Sequence, residues 1–304
     1  MTFHPMDWDK STLMTDSGMF GAEEFGAIYL IEDEKVAIVE SGTSFEKDRI
    51  LAAVREFGYK PADIDYLIVS HIHLDHAGGA GFLLQEMTKA KVIVHERGYK
   101  HLADPSRLLE SAKAALGASA GEYGTMLPIP AESLVAVKDG DKLELGKREL
   151  VFHDSPGHAP HELTVFDTFN RCIYTGDAAG LYISRDDALL PIAPAPSFSL
   201  EDNARSLDNM LTLQPRALLF SHYGPHTDPK AVVEIQKAQY EEWSAFVRRH
   251  RGNDSEEDMT DELYNDYGFH VKSYGPEFVK RRIRDSVEGL IVYHQRMEDA
   301  ARRI

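Results

Sequence analysis

IDYLIVSHIHLDHAGG, residues 64–79, begins as an apolar run and ends in a cluster of metal-binding side chains. Ile64 to Ser70 has the length and composition of a short buried strand. It leads without a break into His71, His73, Asp75 and His76, three histidines and a carboxylate within six residues. Fourteen histidines spread over 304 residues put fewer than one in such a window on average. Imidazole and carboxylate are the donors that borderline ions such as zinc take. Packed together without a cation, they would be hard to satisfy. The spacing places His71 and His73 on one face of a strand end. Asp75 and His76 follow on the turn, aimed at a second point, so one segment can serve two ions. Gly78 and Gly79 then lead into a helix expected over residues 81–89.

Outward from this segment, strands and helices alternate. GAIYLI (26–31) and KVAIVE (35–40) read as two strands joined by a turn at 32–34, and a helix follows over 44–57 with Ile50, Leu51 and Val54 on one face. KVIVH (91–95) is a strand, and residues 99–135 are helical and loop-rich. Residues 141–145, 149–153, 163–167, 171–174 and 217–220 read as further strands. A helix over 198–214 carries a capping signature, Ser199 with Asp202 three residues on. Helices are expected over 229–250 and 276–304. The pattern is an α/β layered fold, with residues 1–230 as the catalytic domain and 231–304 as a helical extension that forms a lid or a dimer interface.

Ligands to complete the cluster are expected at other strand ends, where loops on a rigid sheet assemble sites. Three candidates have that setting: His158 in SPGH, Asp177 in TGD and His222 in SHYG, each beside a glycine. Composition bounds the rest. Fifty acidic against 33 basic residues leave a net charge of −17, which disfavours nucleic acid and anionic membranes as partners. No apolar run approaches the ~20 residues needed to span a bilayer, and the N-terminus shows no secretory signal. Cys172 is the lone cysteine, so the simplest location is the cytoplasm.

The chain resembles the metallo-β-lactamase-fold hydrolase superfamily, in its glyoxalase II-like or lactonase-like dinuclear branch. The matching stretches are residues 64–79, DGDKLELGKRELVFHDSPGHAPHELTVFD (139–167), YTGDAAG (174–180) and ALLFSHYG (217–224). The resemblance implies a four-layer αββα sandwich with two divalent metal ions at one edge of the sheets, zinc first, with iron or manganese as alternatives. His71, His73 and His158 would hold the first ion, Asp75, His76 and His222 the second, and Asp177 would bridge them. One departure is Glu40-Ser41-Gly42, where the family usually has an Asp-Thr-Gly-like turn. Asp177 separates the chain from true β-lactamases. His73 stands where a flavodiiron protein would carry a glutamate.

The expected function is a metal-dependent hydrolase in which a metal-bridging hydroxide attacks an ester, thioester, lactone or phosphodiester. Asp75 is its catalytic residue, orienting the nucleophile and passing its proton to the leaving group. Two alternatives stand beside it: a mononuclear iron persulfide dioxygenase of the same fold, and a metal-containing binding or regulatory protein. The expected partner is a small-molecule substrate, with a homodimer as a further possibility. Around the cluster, His161 and His95 read as supporting groups, Tyr182 and Tyr223 as packing. Lys280, Arg281, Arg282 and Arg284 read as the solvated face of an amphipathic helix.

Overall fold

The computed structural model describes residues 4–302. The first sheet runs in chain order through β1 (His4–Met6), β2 (Asp9–Asp16), β3 (Ala27–Ile31), β4 (Ala37–Val39), β5 (Tyr66–Ile68), β6 (Lys91–His95) and β7 (Leu134–Val137). It is antiparallel up to β4 and parallel from β4 to β7. The second sheet contains β8 (Lys142–Glu144), β9 (Glu149–Asp154), β10 (Leu163–Asp167) and β11 (Cys172–Gly176). After a small hairpin of β12 (Leu181–Ile183) and β13 (Ala188–Leu190), it is completed by β14 (Ala217–Phe220) and β15 (Gly224–His226). Its one parallel pair is β11 with β14.

Side chains alternate across each strand, and this divides the core into layers. Ile68, Ile93, Tyr29 and Val39 meet Phe152, Val165, Tyr174 and Leu219 between the two sheets. Their neighbours Leu67, Val92, Leu30 and Ile38 face the opposite way, onto Ile50, Leu51 and Val54 of α1 (Lys47–Glu56). On the far side of the second sheet, Leu218 and Phe220 pack on Leu207 and Met210 and on Val232 and Val233. The result is helix, sheet, sheet, helix, as the resemblance implied.

Short helices α2 (Leu74–Ala77) and α3 (Ala80–Leu83) follow β5. The helix expected over 81–89 therefore ends early; residues 84–89 turn, carrying Met87 into the core. Beyond β6 lie α4 (Glu96–Ala103) and α5 (Ser106–Leu116). Next come α6 (Leu200–Thr212), whose cap is Ser199 Oγ accepting from the Asp202 amide at 3.3 Å, and α7 (Pro229–His250). The chain ends in α8 (Glu256–Asp266) and α9 (Pro276–Arg302). Val279, Ile283, Val287 and Leu290 of α9 share a core with Tyr240 and Trp243 of α7 and with Met19, Phe25 and Phe198. The strands β1, β2, β7, β12 and β13 and helix α8 go beyond the elements legible in the sequence.

A buried ion-pair network joins the two sheets. Arg148 donates to Asp9 and Asp167, each at 2.5 Å, and all three are almost fully buried. None of the described helices is long and apolar enough to cross a membrane.

Candidate metal centre

Three of the loops that carry the cluster leave the C-terminal ends of β5, β11 and β14; the fourth joins β9 to β10. After β5 the ladder continues only as far as the Val69 amide, which donates to Ile93 O. The chain then peels away, so His71 and His73 hang from a loop and not from a strand face as the spacing had suggested. His73 sits just ahead of α2, which carries Asp75 and His76. Two glycines set the other loops. Gly157, at φ 143°, lies where a Cβ would meet Asn203 Cα at 2.4 Å, so the His158 loop can dock on α6. Gly176, at φ 53°, lies where a Cβ would come within 2.2 Å of Glu162 Oε1, ahead of Asp177.

All seven residues come together. His71, His73 and His158 form one group and Asp75, His76 and His222 a second, with ligand atoms in each within 4.8 Å of one another. Asp177 lies between them. Its Oδ2 is 3.4 Å from His158 Nε2, while its Oδ1 is 3.4 Å from His76 Nε2 and 3.6 Å from His222 Nε2. Asp75 Oδ2 lies 3.7 Å from His222 Nε2 and 3.9 Å from His76 Nε2.

The surroundings orient four of the five imidazoles by the outer nitrogen. His222 Nδ1 donates to Phe25 O at 2.9 Å, His158 Nδ1 to Ile192 O at 3.4 Å, and His76 Nδ1 to Glu40 Oε1 at 3.2 Å. His71 Nδ1 faces Ser70 Oγ at 3.0 Å and Glu162 Oε2 at 3.2 Å. With the outer nitrogen carrying the proton, Nε2 of each of these four rings turns a lone pair inward. His73 Nδ1 lies 2.9 Å from both His71 Nε2 and His158 Nε2. Three ring nitrogens so close cannot all satisfy one another as neutral imidazoles. Among the described residues, His76 Nε2 and Asp177 Oδ1 are buried with no hydrogen-bond partner. Inward lone pairs and orphaned acceptors are what a cation would satisfy, so the residues fit divalent metal ions.

Electrostatics agree. Burial, reinforced by the neighbouring imidazoles, holds His71 far below the usual histidine range. Burial also lowers His73, and it brings His158 down to about 3 against the pull of Asp177. Burial opposes charge on His76 too, but Asp177, Glu40 and Asp75 together outweigh it and raise that ring. Asp177 is drawn down by His76, His222 and His158 in spite of its burial.

Two supporting residues matter most. Glu40 occupies the departure noted in the sequence. It adopts a left-handed φ of 71°, and its carboxylate accepts from His76 and from Ser221 Oγ at 2.8 Å. Glu162 escaped the sequence reading. Its Oε1 accepts the Asp177 amide at 2.9 Å while Oε2 faces His71. The available signal was a charge immediately ahead of a strand buried along its whole length, Leu163–Asp167.

The weaker candidates separate cleanly. His95 accepts from the Arg97 amide and contacts Asp154, capping α4. Tyr182 donates to Asp187, and Tyr223 packs between the sheets. His161 stands beside His71 and His73, ring centroids 6.2 and 5.8 Å away, outside both ligand groups. The centre opens into a cavity of about 750 Å³, a volume that suits a small molecule. Its walls include α5 and, contrary to the solvated face expected from sequence, Arg281, Arg282 and Arg284 of α9.

Comparison with known proteins agrees with this fold. A family model described as the metallo-beta-lactamase superfamily matches residues 21–222. The metallo-beta-lactamase fold-containing protein ST1585 of Sulfurisphaera tokodaii is 29% identical over 220 residues, covering 70% of this chain and 78% of that protein. Its crystal structure aligns with a TM-score of 0.70 at 23% identity, over 92% of this chain and 98% of that one. The family protein TTHA1429 of Thermus thermophilus aligns at 0.68 with 20% identity, over 98% and 92%. A putative diflavin flavoprotein of Thermosynechococcus vestitus is 26% identical over 234 residues, and the match spans 72% of this chain but 37% of that longer protein. Fold, loop-borne histidines and a family model matching about two thirds of its length together make this chain a member of the metallo-beta-lactamase superfamily.

Proposed function

We propose that the chain is a dinuclear metal-dependent hydrolase acting on an ester, thioester, lactone or phosphodiester. His71, His73 and His158 would hold one ion and Asp75, His76 and His222 the second, with Asp177 set between the two groups. The observation that supports this most is the division of the two Asp177 oxygens between the two histidine groups. The nitrogen-rich donor set suits zinc, with iron or manganese as alternatives. Two such ions supply Lewis acidity toward the electrophilic oxygen and a hydroxide nucleophile at neutral pH.

The chain's own residues do the remainder. Burial keeps His71, His73 and His158 neutral, ready to donate lone pairs. Phe25 O, Ile192 O, Glu40 and Glu162 hold the rings in register. Asp75 is the more exposed of the two cluster carboxylates, and both line the cavity. That places it to orient the nucleophile, take its proton and hand it to the leaving group, a role worth about 10²–10⁴ in rate.

The flavoprotein relatives favour a second reading, oxygen or electron chemistry at the same site. A histidine at position 73 in place of a carboxylate supports the hydrolase over it. The test is turnover of a panel of thioesters, lactones and phosphodiesters by metal-loaded protein, before and after chelation. Hydrolysis lost on chelation and restored by zinc supports the reading. A fully loaded protein that cleaves none of them, yet consumes oxygen with glutathione persulfide, overturns it.

A further inference from the structure

The helix α9 basic cluster has a place in the cleft that the hydrolase reading leaves unused. Four guanidinium groups line the same cavity as the metal centre: Arg107 from α5, and Arg281, Arg282 and Arg284 from α9. This is an uneven placement in a chain of net charge −17. Two of the four are already engaged. Arg281 pairs with Glu122. Arg282 donates to Tyr123 OH at 3.1 Å, lies 3.7 Å from Asp285, and stacks over Phe20, Phe25 and Phe278 at 4.8–5.4 Å. Arg107 and Arg284 are exposed to the cleft and, among the described residues, have neither a hydrogen bond nor an ion pair; Asp104 attracts the first and Asp285 the second only through space. Two acidic side chains share these walls: Asp285, turned to Arg282, and Glu288.

Much of the remaining lining of the cavity is apolar, with Ile72, Leu74, Leu108, Ala112 and Leu181 among its residues. An unpaired guanidinium presents a fork of donors matched to carboxylate or phosphate. Apolar walls in the same cavity suit a hydrocarbon body.

We infer that Arg107 and Arg284 form an anion subsite, and that the substrate joins its hydrolysable bond through an apolar body to a remote carboxylate or phosphate. This rests on reading the site as a hydrolase's, and it narrows the substrate to an anionic ester or thioester of small-molecule size. Arg281 and Arg282, tied down by Glu122, Tyr123 and Asp285, hold the wall that presents them.

Binding tests it independently of turnover. Linear dicarboxylates from glutarate to suberate are titrated by calorimetry into the metal-loaded protein, against monocarboxylates of equal length. One carboxylate can go to the metal ions in either series; only the dicarboxylate has a second for the arginines. At the best-fitting length the dicarboxylate is expected to bind at least tenfold tighter. Arg107→Ala/Arg284→Ala abolishes that advantage, and the double lysine variant keeps part of it. Terminal phosphomonoesters of the same chain lengths distinguish a phosphate from a carboxylate as the preferred anion. Equal affinity of monocarboxylates, dicarboxylates and terminal phosphomonoesters for the wild type, or an advantage undiminished in the double alanine variant, overturns the inference. A dicarboxylate preference without hydrolysis of any ester refutes the hydrolase reading and leaves the subsite standing. Hydrolysis without the preference does the reverse.

Discussion

Replacing Glu162 with glutamine asks whether the buried carboxylate holds the centre together. Glu162 works at both ends: Oε1 accepts the Asp177 amide at 2.9 Å, and Oε2 lies 3.2 Å from His71 Nδ1. An amide of the same shape has one oxygen and one NH2. If the oxygen keeps Asp177, the NH2 faces His71 Nδ1 and favours the tautomer whose Nε2 carries a proton, closing the lone pair to a metal ion. If the amide flips, the Asp177 N–H faces another donor. Burial and nearby Asp177 raise the proton affinity of Glu162, so glutamine resembles the protonated side chain and the metal-free fold should tolerate it. The loss falls on metal binding. Partners of this kind are worth about ten- to a hundredfold in affinity, roughly 1.4–2.7 kcal/mol. Competition of Glu162→Gln and wild type against a chromophoric chelator, with melting curves of both metal-free proteins, measures this. Metal affinity within twofold of wild type would refute the reasoning.

Three further outcomes follow from the packing. Arg148→Met leaves Asp9 and Asp167 buried without their cation and should lower stability by about 3–5 kcal/mol, measured by urea unfolding. Gly289→Ala would put a Cβ 1.7 Å from Ala193 O, forcing α9 off the loop that lines the cleft; a loss of about 1–3 kcal/mol is expected in the same assay. His294, packed against Ser244, is held below the ordinary histidine value by burial, so below about pH 6.5 the unfolded chain takes up a proton that the folded chain resists, and stability falls. Compared with His294→Gln, the wild type should lose ground on acidification from pH 7.5 to 5, by at most about 1.4 kcal/mol per pH unit; parallel curves would contradict this.

What could be read from sequence follows physical range. KVIVH, residues 91–95, forms β6 over those residues, because a buried strand between turns has one pattern to obey. The seven cluster residues were legible as a group, since histidine and aspartate beside glycine at strand ends have few other reasons to recur. Their support was less so. Nothing in the order of residues says that Glu162 passes behind both His71 and Asp177; the pairing of β10 with β11 brings it to Asp177, and the Leu163 amide, donating to Ser70 O at 2.8 Å, brings it to His71. The arginines of α9 were misread for a related reason. Charges at helical spacing look alike whether water or a cleft lies opposite, and it is the position of α5 and the loop at 192–197 that makes a wall of them. The N-terminal hairpin of β1 and β2 is half polar, with Asp9, Lys10 and Thr12 in its second strand, and gains its order from the sheet it joins.

The central claim is two metal ions held by two ligand groups that share Asp177. Metal analysis by inductively coupled plasma mass spectrometry, on protein purified without added metal, tests it most directly, with Asp177→Ala measured alongside. The account predicts close to two ions per chain, zinc foremost, and a marked fall in the variant. A single iron per chain in the wild type, unchanged in Asp177→Ala, would contradict it.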